Sequence, residues 1–114
     1  MPQPILILST CDSREQCERI AHALVSERLA ACVNIVPGLT SVYRWQDQVE
    51  TASEHLLVIK TTLERARAAE ERAIQLHSYD TPEWIRIPIE GGSERYLSWL
   101  LSGVADLNDR TRPL

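Results

Sequence analysis

Residues 29–62 read LAACVNIVPGLTSVYRWQDQVETASEHLLVIKTT. β-Branched and aromatic residues crowd both halves. Val33, Ile35, Val36, Val42, Tyr43 and Trp45 precede the polar break Gln46-Asp47-Gln48, and Leu56, Leu57, Val58 and Ile59 follow it. Two such runs around a short polar turn predict a β-hairpin. The turn has no Asn-Gly or Asp-Gly, so its type stays open. Each arm has room for about 13–16 residues, roughly 45–50 Å at ~3.3 Å per residue, against about 5–6 residues in an ordinary strand. A chain of 114 residues cannot cover such a ribbon alone, so part of it is expected to project and to meet a partner. Pro37-Gly38 interrupts the first arm. Proline cannot donate to a ladder, which marks this arm as an edge strand with a bulge.

Upstream, Pro4-Ile5-Leu6-Ile7-Leu8 is apolar on both faces, the pattern of a central, doubly covered strand. Ser13 and Gln16 form a capping box, and Cys17, Ile20, Ala21, Leu24 and Arg28 keep helical spacing, predicting a helix over residues 13–28. Downstream, Thr61 and Glu64 suggest a second capping box. Leu63, Ala66, Ala69, Ala73 and Leu76 then mark the packed face of a helix ending near His77. Arg65, Arg67, Glu70, Glu71 and Arg72 read as its solvated face. After the loop 77–81, residues 82–89 alternate, with Ile85, Ile87 and Ile89 on one face; Pro82 and Pro88 make this a second edge strand. Gly91-Gly92 turns the chain, Ser93 caps a short final helix bearing Tyr96, Leu97, Trp99, Leu100 and Leu101, and Gly103 suits its C′ position. Residues from about 104 to 114 read as a loosely held tail.

The order β-α-β-β-α-β plus a tail helix is that of an α+β, ferredoxin-like sandwich, one domain over residues 1–114. Such a sheet runs 4-1-3-2. The continuous apolar runs fall on its central strands and the internal prolines on its edges. Both long helices cover one face. The other keeps part of Ile5–Leu8 and Leu56–Ile59, and a bare apolar face of that size calls for cover. The tail helix supplies some; the rest, with the long hairpin, implies a homo-oligomer.

The formal net charge of −4 with scattered Lys and Arg argues against nucleic acid, which wants a basic face. An RNA-binding domain of the same topology would carry stacking aromatics on strands 1 and 3, and Ile5–Leu8 and Leu56–Ile59 have none. No apolar run reaches membrane-spanning length. Three cysteines, Cys11, Cys17 and Cys32, cannot all pair in one chain and none lies in a CxxC, which with no secretory leader fits a reducing cytoplasm. No spacing of Cys and His matches a closed structural zinc site. No GxGxxG, P-loop, HExxH or GxSxG is present, and no enzymatic activity is expected.

Leu29-Ala30-Ala31-Cys32-Val33-Asn34, Ser41-x-Tyr43-x-Trp45, Ile59-Lys60-Thr61, His77-x-Tyr79-x-x-Pro82-Glu83 and Tyr96-Leu97-x-Trp99 together resemble the CutA family of divalent-cation tolerance proteins, over nearly the whole chain. The resemblance implies a ferredoxin-like subunit in a tight, very stable, cytoplasmic homotrimer. It also implies tolerance of copper and other divalent cations without an agreed catalytic activity, and a trimer like that of PII signalling proteins. The chain departs from the family where its loop reads His77-Ser78-Tyr79 rather than His-Pro-Tyr. Ser9 stands where some members have a Cys, and Leu76 where they have a second His. Of three ligands proposed in such members, only His77 is kept.

His77, beside an acidic loop, is a candidate metal ligand, since neutral imidazole suits Cu and Zn; as a residue at a helix C-terminus it equally suits hydrogen bonds to the last carbonyls. Cys11, near the start of the first helix, is a candidate thiolate ligand or a small packed residue. Cys17 and Cys32 read as core, His22 and His55 as surface or structural. Tyr43, Trp45, Lys60, Tyr79, Glu83 and Trp99, with Trp84, form a second set. They either line an inter-subunit cleft of mixed charge or anchor the interface itself. The expected function is divalent-cation tolerance by a homotrimer that binds Cu2+ or a similar ion weakly. The alternative is a PII-like signalling or scaffold protein taking a small anionic metabolite or a partner protein at the cleft, with Lys60 as its anchor.

Overall fold

The computed structural model describes residues 2–105. Its elements are β1 (Pro4–Cys11), α1 (Arg14–Ser26), β2 (Cys32–Trp45), β3 (Gln48–Thr62), α2 (Leu63–Leu76), β4 (Ile85–Pro88) and α3 (Glu94–Gly103). The strands form one sheet in the order β2-β3-β1-β4, every neighbouring pair antiparallel. The apolar runs Ile5–Leu8 and Leu56–Ile59 are thus the central strands, and the proline-bearing β2 and β4 are the edges, as expected.

Strand alternation divides the central strands. Ile5, Ile7, Leu57 and Ile59 point at the helices and close a core with Ile20 and Leu24 of α1 and Ala66, Ala69 and Ala73 of α2. Leu6, Leu8, Leu56 and Val58 take the opposite face and stay half-buried. α3 lies on that face: Leu100 is fully buried, and the Tyr96 ring stands 5.6 Å from the Lys60 ammonium. Beyond α3 the face is bare, with Ile85 and Ile87 of β4 and Val36 of β2 exposed.

The hairpin arms are 14 and 15 residues long, and the subunit measures 52 Å along its greatest extent. Gln46 and Asp47 both take left-handed backbone, φ 50° and 65°. Left-handed backbone at both central residues is the type I′ reversal, whose twist matches the strands it joins. The sequence hid this because neither residue is the usual Asn or Gly. The bulge is where Pro37-Gly38 predicts it: the register shifts between Val36 and Leu39, with Gly38 at φ 82°.

Six local expectations are corrected. α1 stops at Ser26, because Arg28 takes φ 60° and the Leu29 and Ala30 amides turn back to the Leu24 carbonyl. Arg28 then donates to the Ser102 and Ala105 carbonyls. Thr61 is not a cap; it is a buried strand residue whose hydroxyl donates to the Leu29 carbonyl at 2.7 Å. Thr62 holds the cap position without a side-chain bond, and Leu63, expected on the packed face, is exposed. β4 spans Ile85–Pro88 rather than residues 82–89, since the Glu83 carbonyl is taken by the Ser9 hydroxyl at 2.6 Å. Gly103 is the last helical residue, not a left-handed C′ residue. It is small because Ala31 is close: a Cβ there would sit 2.9 Å from the Ala31 Cβ. The sixth concerns the start of the tail, since Val104 is buried and its carbonyl accepts from Arg65; residues 106–114 lie outside the described residues.

Gly103→Ala is expected to cost about 1–3 kcal/mol through this overpacking, read as a lower urea midpoint; an unchanged midpoint would mean that Ala31 yields freely. Replacing the turn by Gln46→Asn with Asp47→Gly is expected to raise the thermal midpoint, by relieving left-handed strain of up to ~1–2 kcal/mol per residue. A fall would show that these side chains do more than turn the chain.

Candidate functional site

The bulge decides which hairpin side chains face the site. Before it, Cys32, Asn34 and Val36 stand opposite Lys60, Val58 and Leu56 and share the open sheet face. β2 then spends one extra residue, so Leu39, Ser41, Tyr43 and Trp45 stand opposite Glu54, Ala52, Glu50 and Gln48. The parity of β2 has flipped. Without the bulge, Val42 and Arg44 would occupy the open face.

A cleft of about 690 Å³ lies between this part of the hairpin and the loop after α2. Ser41, Tyr43 and Trp45 come from β2, Glu54 from β3 and Thr10 from the end of β1; Tyr79, Asp80 and Glu83 come from the loop. Glu54 is buried and accepts from the Tyr79 hydroxyl at 2.8 Å. Among the described residues, the lining includes no Lys, Arg or His. Three carboxylates beside three aromatic rings make a wall that attracts cations and repels anions.

The loop is fixed by its own bonds. His77 Nε2 lies 2.7 Å from the Thr10 carbonyl, and His77 Nδ1 accepts from the Tyr79 amide at 3.0 Å. A carbonyl only accepts and an amide only donates, so this geometry assigns the proton to Nε2 and occupies both nitrogens. Ser78 donates to Gln16 of α1 at 3.1 Å. His77 thereby pins the loop to the end of β1.

The expected metal pair does not assemble. His77 has no free nitrogen. Cys11 faces the helix-side core, fully buried among apolar side chains. Burial above all pushes the Cys11 thiol up, so it stays protonated at neutral pH. Among the described residues, no three or more His, Cys, Asp or Glu side chains are grouped to hold a metal ion. Of the expected cleft set, Tyr43, Trp45, Tyr79 and Glu83 come together. Lys60 lies instead against Tyr96, and Trp99 sits on exposed α3 with its ring 5.4 Å from that of Tyr96. Glu54 and Asp80 are the residues that sequence reasoning missed. A lone Glu inside a strand pattern was the only signal for Glu54.

The chain matches the family model described as CutA1 divalent ion tolerance protein over residues 5–102. It is 52% identical over 95 residues to the divalent-cation tolerance protein CutA of Thermus thermophilus, covering 83% of this chain and 92% of that protein. It is 47% identical over 96 residues to the chloroplastic Protein CutA of Arabidopsis thaliana, covering 84% of this chain but 53% of the plant protein. The solved Thermus thermophilus Cut A1 structure superposes with a TM-score of 0.88 at 48% identity, covering 90% of this chain and 99% of that one. The chain belongs to the CutA1 divalent ion tolerance family.

Tyr79→Phe is expected to cost about 1–3 kcal/mol by leaving the buried Glu54 oxygen without its donor. It also has a pH signature. The Tyr79 hydroxyl is pushed up, first by burial and then by the Glu54 carboxylate it donates to. The folded chain thus holds this proton more tightly than the unfolded chain. Its contribution is complete below the ordinary tyrosine pKa of about 10 and fades as pH rises beyond it. Thermal midpoints measured against pH should therefore fall less steeply above pH ~10 in Tyr79→Phe than in wild type; identical alkaline limbs would contradict the assignment.

Proposed function

We propose that this CutA1 family member serves divalent-cation tolerance as a homotrimer, holding Cu2+ or a similar cation weakly and catalysing no reaction. The carboxylate-walled cleft is the observation that carries this reading: Glu54, Asp80 and Glu83 line one cleft with no basic side chain among its described lining. Carboxylates are ligands for hard and borderline divalent ions. One subunit lacks a three-ligand group among its described residues, which fits a site completed across a subunit boundary. The trimer is supported by the bare apolar surface. Trp45 and Val49 near the hairpin end, and Ile85 and Ile87 on β4, are all exposed in the single subunit, and apolar surface of this extent marks an interface. The free thiols of Cys11, Cys17 and Cys32 suit a reducing compartment such as the cytoplasm. The anionic-metabolite reading loses its anchor within the subunit, because Lys60 packs against Tyr96 on α3 and does not line the cleft.

Calorimetric titration with Cu2+ and Zn2+ tests the assignment. The double variant Asp80→Asn with Glu83→Gln is expected to weaken binding ten-fold or more, roughly 1.4 kcal/mol. A control at the exposed Glu64 (Glu64→Gln) should bind like wild type. Binding that survives the double variant, yet is lost in His77→Ala, would return the site to the imidazole.

A further inference from the structure

We propose that the cleft beside Glu54 binds a linear aliphatic polyamine, a cation whose charges are spaced along a hydrocarbon chain. The inference goes beyond the divalent-ion reading and shares only the cleft with it. The cleft holds about 690 Å³, the size of an ordinary small-molecule site, and its wall offers two kinds of contact. Glu54, Asp80 and Glu83 supply carboxylates, and Tyr43, Trp45 and Tyr79 supply rings. An aromatic face attracts an ammonium group, and it also covers methylene groups, as aromatic rings do in any apolar contact. A small hard ion makes no use of that second contact.

Three observations select the ligand. Glu54 is only 9% exposed, and buried carboxylates are ordinarily paired with a cation. Its partner here is the Tyr79 hydroxyl on Oε2 at 2.8 Å, a neutral donor, while the ion pairs among the described residues, Arg14–Glu18 and Arg72–Glu27, lie elsewhere. Second, the three carboxylates share the cleft without being grouped to hold a metal ion. A single ion within the subunit does not reach all three, whereas charges spread along a chain do. Third, Ser41, Tyr43 and Trp45 alternate along β2 on the cleft side, a row roughly 13 Å long at ~3.3 Å per residue. A row suits an extended chain better than a compact head group. The hydroxyls of Thr10 and Ser41 also line the cleft and can accept from N–H groups. They favour primary and secondary ammonium groups over a quaternary one, which has no N–H to donate. The wall is built before any ligand arrives. The Tyr79 ring packs on His77 with centroids 4.7 Å apart, and its hydroxyl is tied to Glu54, so binding orders little.

The test is a calorimetric titration of the metal-free full chain with spermidine, with butylamine and choline run beside it. Spermidine is expected to saturate at one per subunit and to bind about ten-fold or more tighter than either single-charge amine. Trp45→Leu, and separately Asp80→Asn with Glu83→Gln, should each weaken it by about ten-fold or more, while Glu64→Gln binds like wild type. Absence of saturable binding, butylamine or choline binding as tightly as spermidine, or affinity indifferent to Trp45→Leu would overturn the proposal. Proton magnetic resonance of spermidine with the wild-type chain supplies a check that needs no variant to fold. Methylene groups held over aromatic faces shift upfield by ring current, and this shift is the expected result. Methylene resonances that stay in place at saturation would mean attraction to surface charge alone and would refute the site. Spermidine and Cu2+ are titrated separately, so loss of either reading leaves the other standing.

Discussion

Between Val36 and Leu39 strand β2 carries one residue more than its partner, and the site depends on that excess. The backbone pleat has a period of two, so a single inserted residue exchanges the faces of everything beyond it. The exchange puts Ser41, Tyr43 and Trp45 beside Glu54 and the loop residues Tyr79, Asp80 and Glu83. Gly38 accommodates the bulge at φ 82°, a conformation that costs a residue with a Cβ roughly 1–2 kcal/mol. The bulge serves the fold as well as the site. Up to Val36, β2 pairs over the compact domain; beyond Leu39 it continues into the projecting ribbon.

The second constraint is the sheet face left by the two long helices. α1 and α2 bury Ile5, Ile7, Leu57 and Ile59, while Leu6, Leu8, Leu56 and Val58 on the other face stay only half-buried under one short helix. α3 is held there by close contact and not by bulk. Gly103 approaches Ala31 too closely to carry a Cβ, and Arg28 reaches across to the carbonyls at its end. The exposed Ile85 and Ile87 continue the apolar surface past the reach of α3. That surface, with the ribbon, is what a further copy of the chain would cover in the proposed trimer.

The fold was legible in the sequence because its signals are one-dimensional. Continuous apolar runs marked β1 and β3, prolines marked the edges, and the long arms around Gln46-Asp47 marked the hairpin. The site was legible in part. Tyr43, Trp45, Tyr79 and Glu83 share one cleft within the subunit, and they drew notice because aromatic residues near acidic ones stand out in a chain of so few aromatics. Glu54 and Asp80 were missed because only the register after the bulge brings them to the cleft. Within the subunit Lys60 packs against the Tyr96 ring on α3, a contact that depends on how the tail helix docks. His77 and Cys11 looked like ligands by residue type. The bonds that occupy His77, to the Thr10 carbonyl and from the Tyr79 amide, and the burial of Cys11 in the core come from packing and leave no trace in spacing.

The proposed trimer links assembly to folding, because a subunit that needs its neighbours to cover its sheet is stabilised by mass action. Sedimentation equilibrium across a wide range of protein concentrations, run beside thermal unfolding of the same samples, tests this most directly. A trimer mass that persists down to the concentration at which the protein unfolds, with a midpoint that rises with concentration, is the expected result. A folded, soluble monomer with a concentration-independent midpoint would contradict it, and would mean that the ribbon and the open face are stable in water alone.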